Sequence, residues 1–412
     1  MGILQDDVVI FKAAEKEGDP TIITVNCPDQ LGLACDLCRI LLFFGFRISR
    51  VDFATDGKWC YIVLWVMGKP TTKWGLVKKR LVAACPSCNS ISGISYYRAE
   101  LLQPPKPPEV FLLKLCCHDR RGLLHDITEV LCELELNIQR VKVSTTPDGK
   151  VLDLFFITDT RELLHTKKRQ EDTKEHLRAN LEDAVMCDIE KVSLEVTACS
   201  QASTFLPSAI TDETFNFEIP DKHYTGTSLT NCVSITVDNT LSPSHTLVQI
   251  VCRDYKGLLY DMMRTFKDYN IQISYGRGST KQKRNCEIDL FIVQADGKKI
   301  VDPSKQNALR SRLLKEVAQP LKVAVVSRGP DTELLVANPV EISGKGRPGV
   351  FYDVTLALKM LNLCIFSAEI VRHIIEHREC EVYRFLLQEG ECLSVSRNKI
   401  KERVWNTLMG WE

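Results

Sequence analysis

Residues His118 to Asp126 read HDRRGLLHD. Two His-Asp dipeptides this close together supply the imidazole and carboxylate ligands of a metal-dependent phosphohydrolase, one chemistry the stretch could do. Another arises if Asp119-Arg120-Arg121-Gly122 is a loop that opens a helix. Glycine allows a positive φ and the close approach of a ligand or another backbone. The helical turn after it carries unpaired N–H groups with partial positive charge, suited to a carboxylate. An aspartate beside them accepts from an ammonium. Together these groups would hold the two charges common to every amino acid. The same residues also serve without a ligand, the aspartate capping the helix and the glycine turning the chain.

Repetition separates these chemistries. Asp254-Tyr255-Lys256-Gly257-Leu258-Leu259-Tyr260-Asp261 repeats the stretch closely and Asp29-Gln30-Leu31-Gly32-Leu33-Ala34-Cys35-Asp36 more loosely. Gly346-Arg347-Pro348-Gly349-Val350-Phe351-Tyr352-Asp353 is a fourth copy. The glycines recur about every 90 residues, with one insertion of about 45. His118 and His125 become Arg253 and Tyr260 in the third copy, while the glycine and the second aspartate persist. A metal site does not discard its ligands and keep its turn, so the hydrolase is set aside.

The elements around each glycine repeat too. Before it comes a strand-like run: TIITVNC (21–27), VFLLKLCC (110–117), HTLVQIVC (245–252) and ELLVANPVEI (333–342). After it comes an apolar-periodic helix such as ITEVLCELEL, then two strands joined at Asp-Gly, a strong hairpin signal. A polar amphipathic helix follows, and in three units a final strand closes the pattern: ISGISYYRAELL, CDIEKVSLEVT and PLKVAVVS. The order βαββαβ is an α+β fold, one four-stranded antiparallel sheet per unit with two helices on one face.

The spacing predicts units over 20–104, 105–198, 231–330 and 331–412, with a Ser/Thr-rich linker over 199–230, and so two tandem pairs. Open edge strands invite pairing, so units are expected side by side in eight-stranded sheets with ligand sites near the seams. The fourth unit ends soon after its second helix and lacks a closing strand. CVSITV (232–237), an extra N-terminal strand of the third unit, is expected either to replace that strand or to extend the third unit's sheet.

The pattern D-R-x-G-L-L inside such a unit resembles the ACT domain, a ferredoxin-like fold. Four copies without a catalytic domain resemble the plant ACT-domain repeat proteins, related to the regulatory tail of bacterial uridylyltransferase. The likeness spans roughly 20–412 and is most specific in the second and third units. It implies a non-catalytic regulator, a sensor in nitrogen or amino-acid metabolism, with paired units binding free amino acids, glutamine among them, at the strand–helix loops. The positions concerned are Asp29, Gly32, Asp119, Gly122, Asp254, Gly257 and Gly349. Gln30-Leu31 in the first loop and Gly346 in the fourth depart from the pattern. Regulatory protein partners, intramolecular pairing of units and a homodimer are the associations implied. A scaffold of ACT units that binds proteins and no ligand is the alternative.

Composition limits the other classes. The chain has 412 residues with 53 basic and 53 acidic, so no net field draws it to nucleic acid or an anionic membrane. RNA-recognition modules share βαββαβ, but Lys150-Val151-Leu152-Asp153 lacks the stacking aromatics that Lys58-Trp59-Cys60-Tyr61 faintly suggests. The apolar run ILLFFGF (40–46) is far shorter than the ~20 residues of a membrane span. Seventeen cysteines, an odd number scattered through apolar segments, suit buried thiols in the cytoplasm or nucleus. GKGRPG (344–349) mimics a dinucleotide loop, and Cys35-x-x-Cys38 with Cys85-x-x-Cys88 mimics a zinc site. The first ends on the repeat glycine with no parallel partner unit, and the second sits partly inside a helix. No metal, cofactor or catalytic constellation is expected.

Overall fold

A computed structural model describes residues 8–16, 18–86, 109–181, 185–192, 233–281, 285–329, 331–375, 378–388 and 395–411. The closing strand expected at 91–102 and the linker expected at 199–230 lie outside the described residues. The described residues form two compact bodies, one drawn mainly from 8–86 with 233–320, the other from 109–192 with 321–410.

In the first body the elements are β1 (Val9–Lys12), β2 (Thr21–Pro28), α1 (Leu33–Phe43), β3 (Arg47–Thr55), β4 (Trp59–Met67) and α2 (Trp74–Ala84). The second body contributes, in chain order, β5 (Val110–His118), α3 (Leu123–Glu133), β6 (Leu136–Thr145), β7 (Lys150–Asp159), α4 (Lys167–Leu181) and β8 (Met186–Lys191). The chain then returns to the first body for β9 (Ser234–Asp238), β10 (Thr246–Arg253), α5 (Leu258–Asp268), β11 (Ile271–Thr280), β12 (Asn285–Gln294) and α6 (Pro303–Ala318). It ends in the second with β13 (Lys322–Arg328), β14 (Asp331–Pro339), α7 (Val350–Met360), β15 (Ile365–Ile375), β16 (Arg378–Leu387) and α8 (Arg397–Met409).

Each body holds one eight-stranded sheet, ordered β1-β2-β4-β3-β11-β12-β10-β9 in the first and β13-β14-β16-β15-β6-β7-β5-β8 in the second. Local sequence explains the elements. β4 alternates, burying Cys60, Ile62, Leu64 and Val66 on the helix side. The helix that follows each glycine buries a stripe at helical spacing, Leu37, Leu41 and Leu42 in α1, and Leu258, Met262 and Phe266 in α5. The β3–β4 hairpin turns at Asp56-Gly57, where Asp56 Oδ1 accepts from the Lys58 and Trp59 N–H groups at 2.8 Å and Gly57 takes a φ of 84°.

The eight-stranded seams are present, but they join the first repeat to the third and the second to the fourth, not chain neighbours as expected. Side-chain volume at the seam disfavours the first repeat beside the second, and charge disfavours several other combinations. In the first body Gly276 stands opposite Phe53 and Gly278 opposite Val51. A Cβ on Gly278 would come 3.1 Å from Val51 Cγ1, and one on Gly276 would collide with Leu290. The second repeat has Val141 and Val143 at these two positions, too large to face Phe53 and Val51. Between them Asp52 stands opposite Arg277, which donates to it at 3.2 Å. The same position in the second body pairs Lys142 with Glu369. Those four charges disfavour any repeat pairing with itself, the first with the fourth, and the second with the third.

The edge strands differ from expectation as well. β9 extends the third repeat, one of the two outcomes expected for CVSITV. The strand PLKVAVVS does not close the third repeat; as β13 it pairs with β14 and covers the fourth, which therefore has no bare edge there. β1, which the sequence reading overlooked, does the same for the first. Among the described residues three repeats thus run ββαββα, and the second runs βαββαβ. A leading and a closing strand both run antiparallel to the first core strand, as β13 does to β14 and β8 to β5, so hydrophobic pattern alone does not distinguish them.

Candidate functional site

All four repeat glycines sit at a strand–helix junction in the left-handed region: φ is 83° at Gly32, 79° at Gly122, 91° at Gly257 and 77° at Gly349. A side chain is strained there, which explains why glycine persists. In each case the glycine is itself the N-cap residue, so the cap position offers no side-chain acceptor to the helix that follows. The first turns after Gly257, Gly32 and Gly122 each line a cleft at the seam.

Within each body the two repeats face each other across the seam, and three loops are closed by the protein's own side chains. Asp29 accepts from Gln272 Nε2 at 2.5 Å and from Thr55 Oγ1 at 2.7 Å. Asp254 is buried and receives Arg47 Nη2 at 3.1 Å. Arg47 and Gln272 hold the same position in their repeats, so each plugs the loop opposite. In the fourth loop Gly346 replaces the aspartate because the room is taken: a Cβ there would lie 2.6 Å from Glu381 Oε2 and 2.7 Å from Asn338 Nδ2. Asn338 also clamps the Arg347 backbone from both sides, at 3.1 and 3.2 Å. GKGRPG is thus a packed turn, not an open phosphate cradle.

The second loop differs. Asp119 accepts from Thr145 Oγ1 at 3.3 Å, and among the described residues no side chain crosses the seam to it. The position that carries Arg47 or Gln272 in the first body is Cys364 here. A cleft of about 370 Å³, counting the solvent at its mouth, remains, lined by Asp119, Gly122, His125, Asp153, Thr355 and Lys359 among others. The clefts at Gly257 and Gly32 are larger, about 500 and 490 Å³, but their aspartates are already engaged.

Family comparison agrees with this architecture. An ACT domain model matches residues 111–175, and models for the ACR10 N-terminal domain, the ACR9-like third domain and the ACR9 C-terminal domain match 11–86, 234–331 and 332–410. The chain is 60% identical to the ACT domain-containing protein ACR10 of Arabidopsis thaliana over 100% of both chains. The chain belongs to the ACR9/ACR10 family of ACT domain-containing proteins. ACR9 of Arabidopsis thaliana is 53% identical, again over 100% of each chain. A bifunctional uridylyltransferase/uridylyl-removing enzyme of Rhodospirillum rubrum is 28% identical over 49% of this chain and 19% of its own length.

In this ACR9/ACR10 family member the charges of the second loop are divided. Burial would raise Asp126, but Lys359 at 2.6 Å and Arg120 at 2.5 Å outweigh it and hold the carboxyl below its usual range. Burial raises Asp119 and lowers His125, whose Nδ1 lies 3.3 Å from Thr355 Oγ1. Arg120 and Lys359 thus gather on Asp126 at the helix start, while Asp119 lies at the strand end. Of the two histidines in the His-Asp dipeptides, His125 is buried against Tyr352. Cys35 and Cys38 are buried within α1, Cys85 donates to the Leu81 carbonyl at 3.2 Å, and Cys88 lies outside the described residues.

Sequence reading missed the residues that decide which loop is open: Arg47, Gln272, Lys267, Lys359 and Asp153. Aligning the repeats beyond the glycine would have flagged two of them, because Lys267 and Lys359 share one helical position. Among the described residues no helix is long and apolar enough to cross a membrane.

Proposed function

We propose that the chain is a non-catalytic regulatory protein that binds a free amino acid at the loop of the second repeat, along the seam with the fourth. The supporting observation is that Asp119 is the loop aspartate not taken up across the seam, with the α3 N–H groups, Lys359 and an open cleft beside it. The ligand's carboxylate goes to the N–H groups and Lys359, its ammonium to Asp119. A sensor of amino-acid supply in the cytoplasm or nucleus, passing its state to protein partners, is the role this binding serves.

A second reading applies to the first body. Arg47 and Gln272 fill both its loops, so its seam serves as an interface that holds the sheet together without a ligand. Melting the full chain with each of the twenty amino acids tests both readings. A ligand at 100 times its Kd adds ~2.7 kcal/mol. A shift with one or a few amino acids, lost in Asp119→Ala, is expected. No shift with any of them favours the scaffold.

A further inference from the structure

Asp153 lies on β7 among core residues. It is 1% exposed, and its Oδ1 has no hydrogen-bond partner among the described residues. The fold does not require a carboxylate there. Asp153 stands opposite Leu115, and the corresponding residues are Ile62 opposite Val25 in the first repeat and Ile288 opposite Ile250 in the third, both buried. A buried carboxylate held only by the Ser144 backbone, with Oδ1 left over, is costly to fold, and two sister repeats show the cheaper residue in the same slot. Asp153 nevertheless lines the cleft that contains Asp119 and Gly122.

We propose that Asp153 is a binding residue which, with Asp119, forms a two-carboxylate receptor for the primary ammonium group of the ligand. This rests on the amino-acid reading above and sharpens it, since it assigns the cationic end of the ligand to the one repeat that carries a second carboxylate.

The charges facing the cleft agree. Arg120 from the loop and Lys359 from α7 both hold Asp126, so two cations share one carboxylate beside the helix start. Asp119 and Asp153 have no cation of their own in the cleft. A zwitterion fits that division end for end. Burial, then the charge of Asp119, push Asp153 up to about 7, so an arriving ammonium takes over from a proton in keeping the two carboxylates together. Two carboxylates are few for a divalent cation that wants six or more oxygens, and among the described residues no three metal-ligating side chains converge.

The test uses the full chain and thermal melting with three sets of probes: the twenty amino acids, their N-acetyl derivatives, and simple primary amines such as methylammonium. The free amino acid that stabilises the wild type should lose its effect when N-acetylated. Asp153→Asn should weaken binding about tenfold or more, the loss of a charge-assisted hydrogen bond. Asp153→Ile should melt higher than wild type without ligand and respond to no amino acid. Stabilisation by primary amines but by no amino acid would keep the ammonium receptor and overturn the amino-acid reading. Full binding by Asp153→Ile, equal binding of the N-acetyl derivative, or a response to calcium or magnesium instead of ammonium compounds would overturn the proposal, as would no response to any probe.

Discussion

Lys359 lies along Gly122 so closely that a Cβ on the glycine would come 2.9 Å from the lysine Cγ, and its ammonium ends 2.6 Å from Asp126. Lys267 lies over Gly32 in the same way and bonds Asp36 at 2.9 Å. The glycine therefore has two jobs, the left-handed turn and room for a lysine stem from the facing helix. Gly122→Ala should destabilise the second body by about 1–2 kcal/mol from the turn alone, with a further cost from displacing the lysine. Gly349→Ala, with nothing within 4 Å of its Cβ, should show the first cost only. Calorimetric melting of both variants checks this; equal losses would mean that the lysine contact contributes nothing.

The buried carboxyl of Asp153 has a pH signature. Its folded value, about 7, lies above its ordinary 3.8, so the folded chain holds a proton that the unfolded chain has already lost. Stability from this group is full below about 4 and is lost as pH rises through about 7. The groups facing it are Asp119 and Arg120 from the loop, His125 from α3 and Lys359 from α7. Asp153→Ile should thus stabilise more at pH 8 than at pH 5, with a ceiling of about 4 kcal/mol. A gain that does not change with pH would show that the carboxyl titrates normally.

The seam charges predict a swap. Lys142→Glu places like charges opposite one another against Glu369 and should lower the melting of the second body by about 1 kcal/mol, while the double change Lys142→Glu with Glu369→Lys should restore it. Absence of rescue would mean that charge does not select the partner.

The sequence made the repeat, its two helices and the hairpins legible because each leaves a local mark: the 3.6 period of α1 and α3, the Asp-Gly turns at 56–57 and 148–149, the positive-φ glycines. Pairing of first with third left no such mark. It depends on Gly276 and Gly278 making room for Phe53 and Val51, residues more than two hundred positions away, and becomes visible only once the strands are laid side by side. The edge strands β1, β9 and β13 were ambiguous because either flank of a repeat can fill the same slot. At the site the aspartates and glycines were legible as a motif. Which aspartate stays open was not, since Arg47, Gln272 and Cys364 act on the opposite repeat.

Amide hydrogen exchange of the full chain, with and without an equimolar mixture of the twenty amino acids, tests the central claim most directly. Slower exchange confined to 119–126 and to 355–365 of the facing repeat, with 29–36 and 254–261 unchanged, is the result expected from an open second loop and closed first and third. Unchanged exchange at 119–126, or protection at 29–36 and 254–261 in its place, would contradict it.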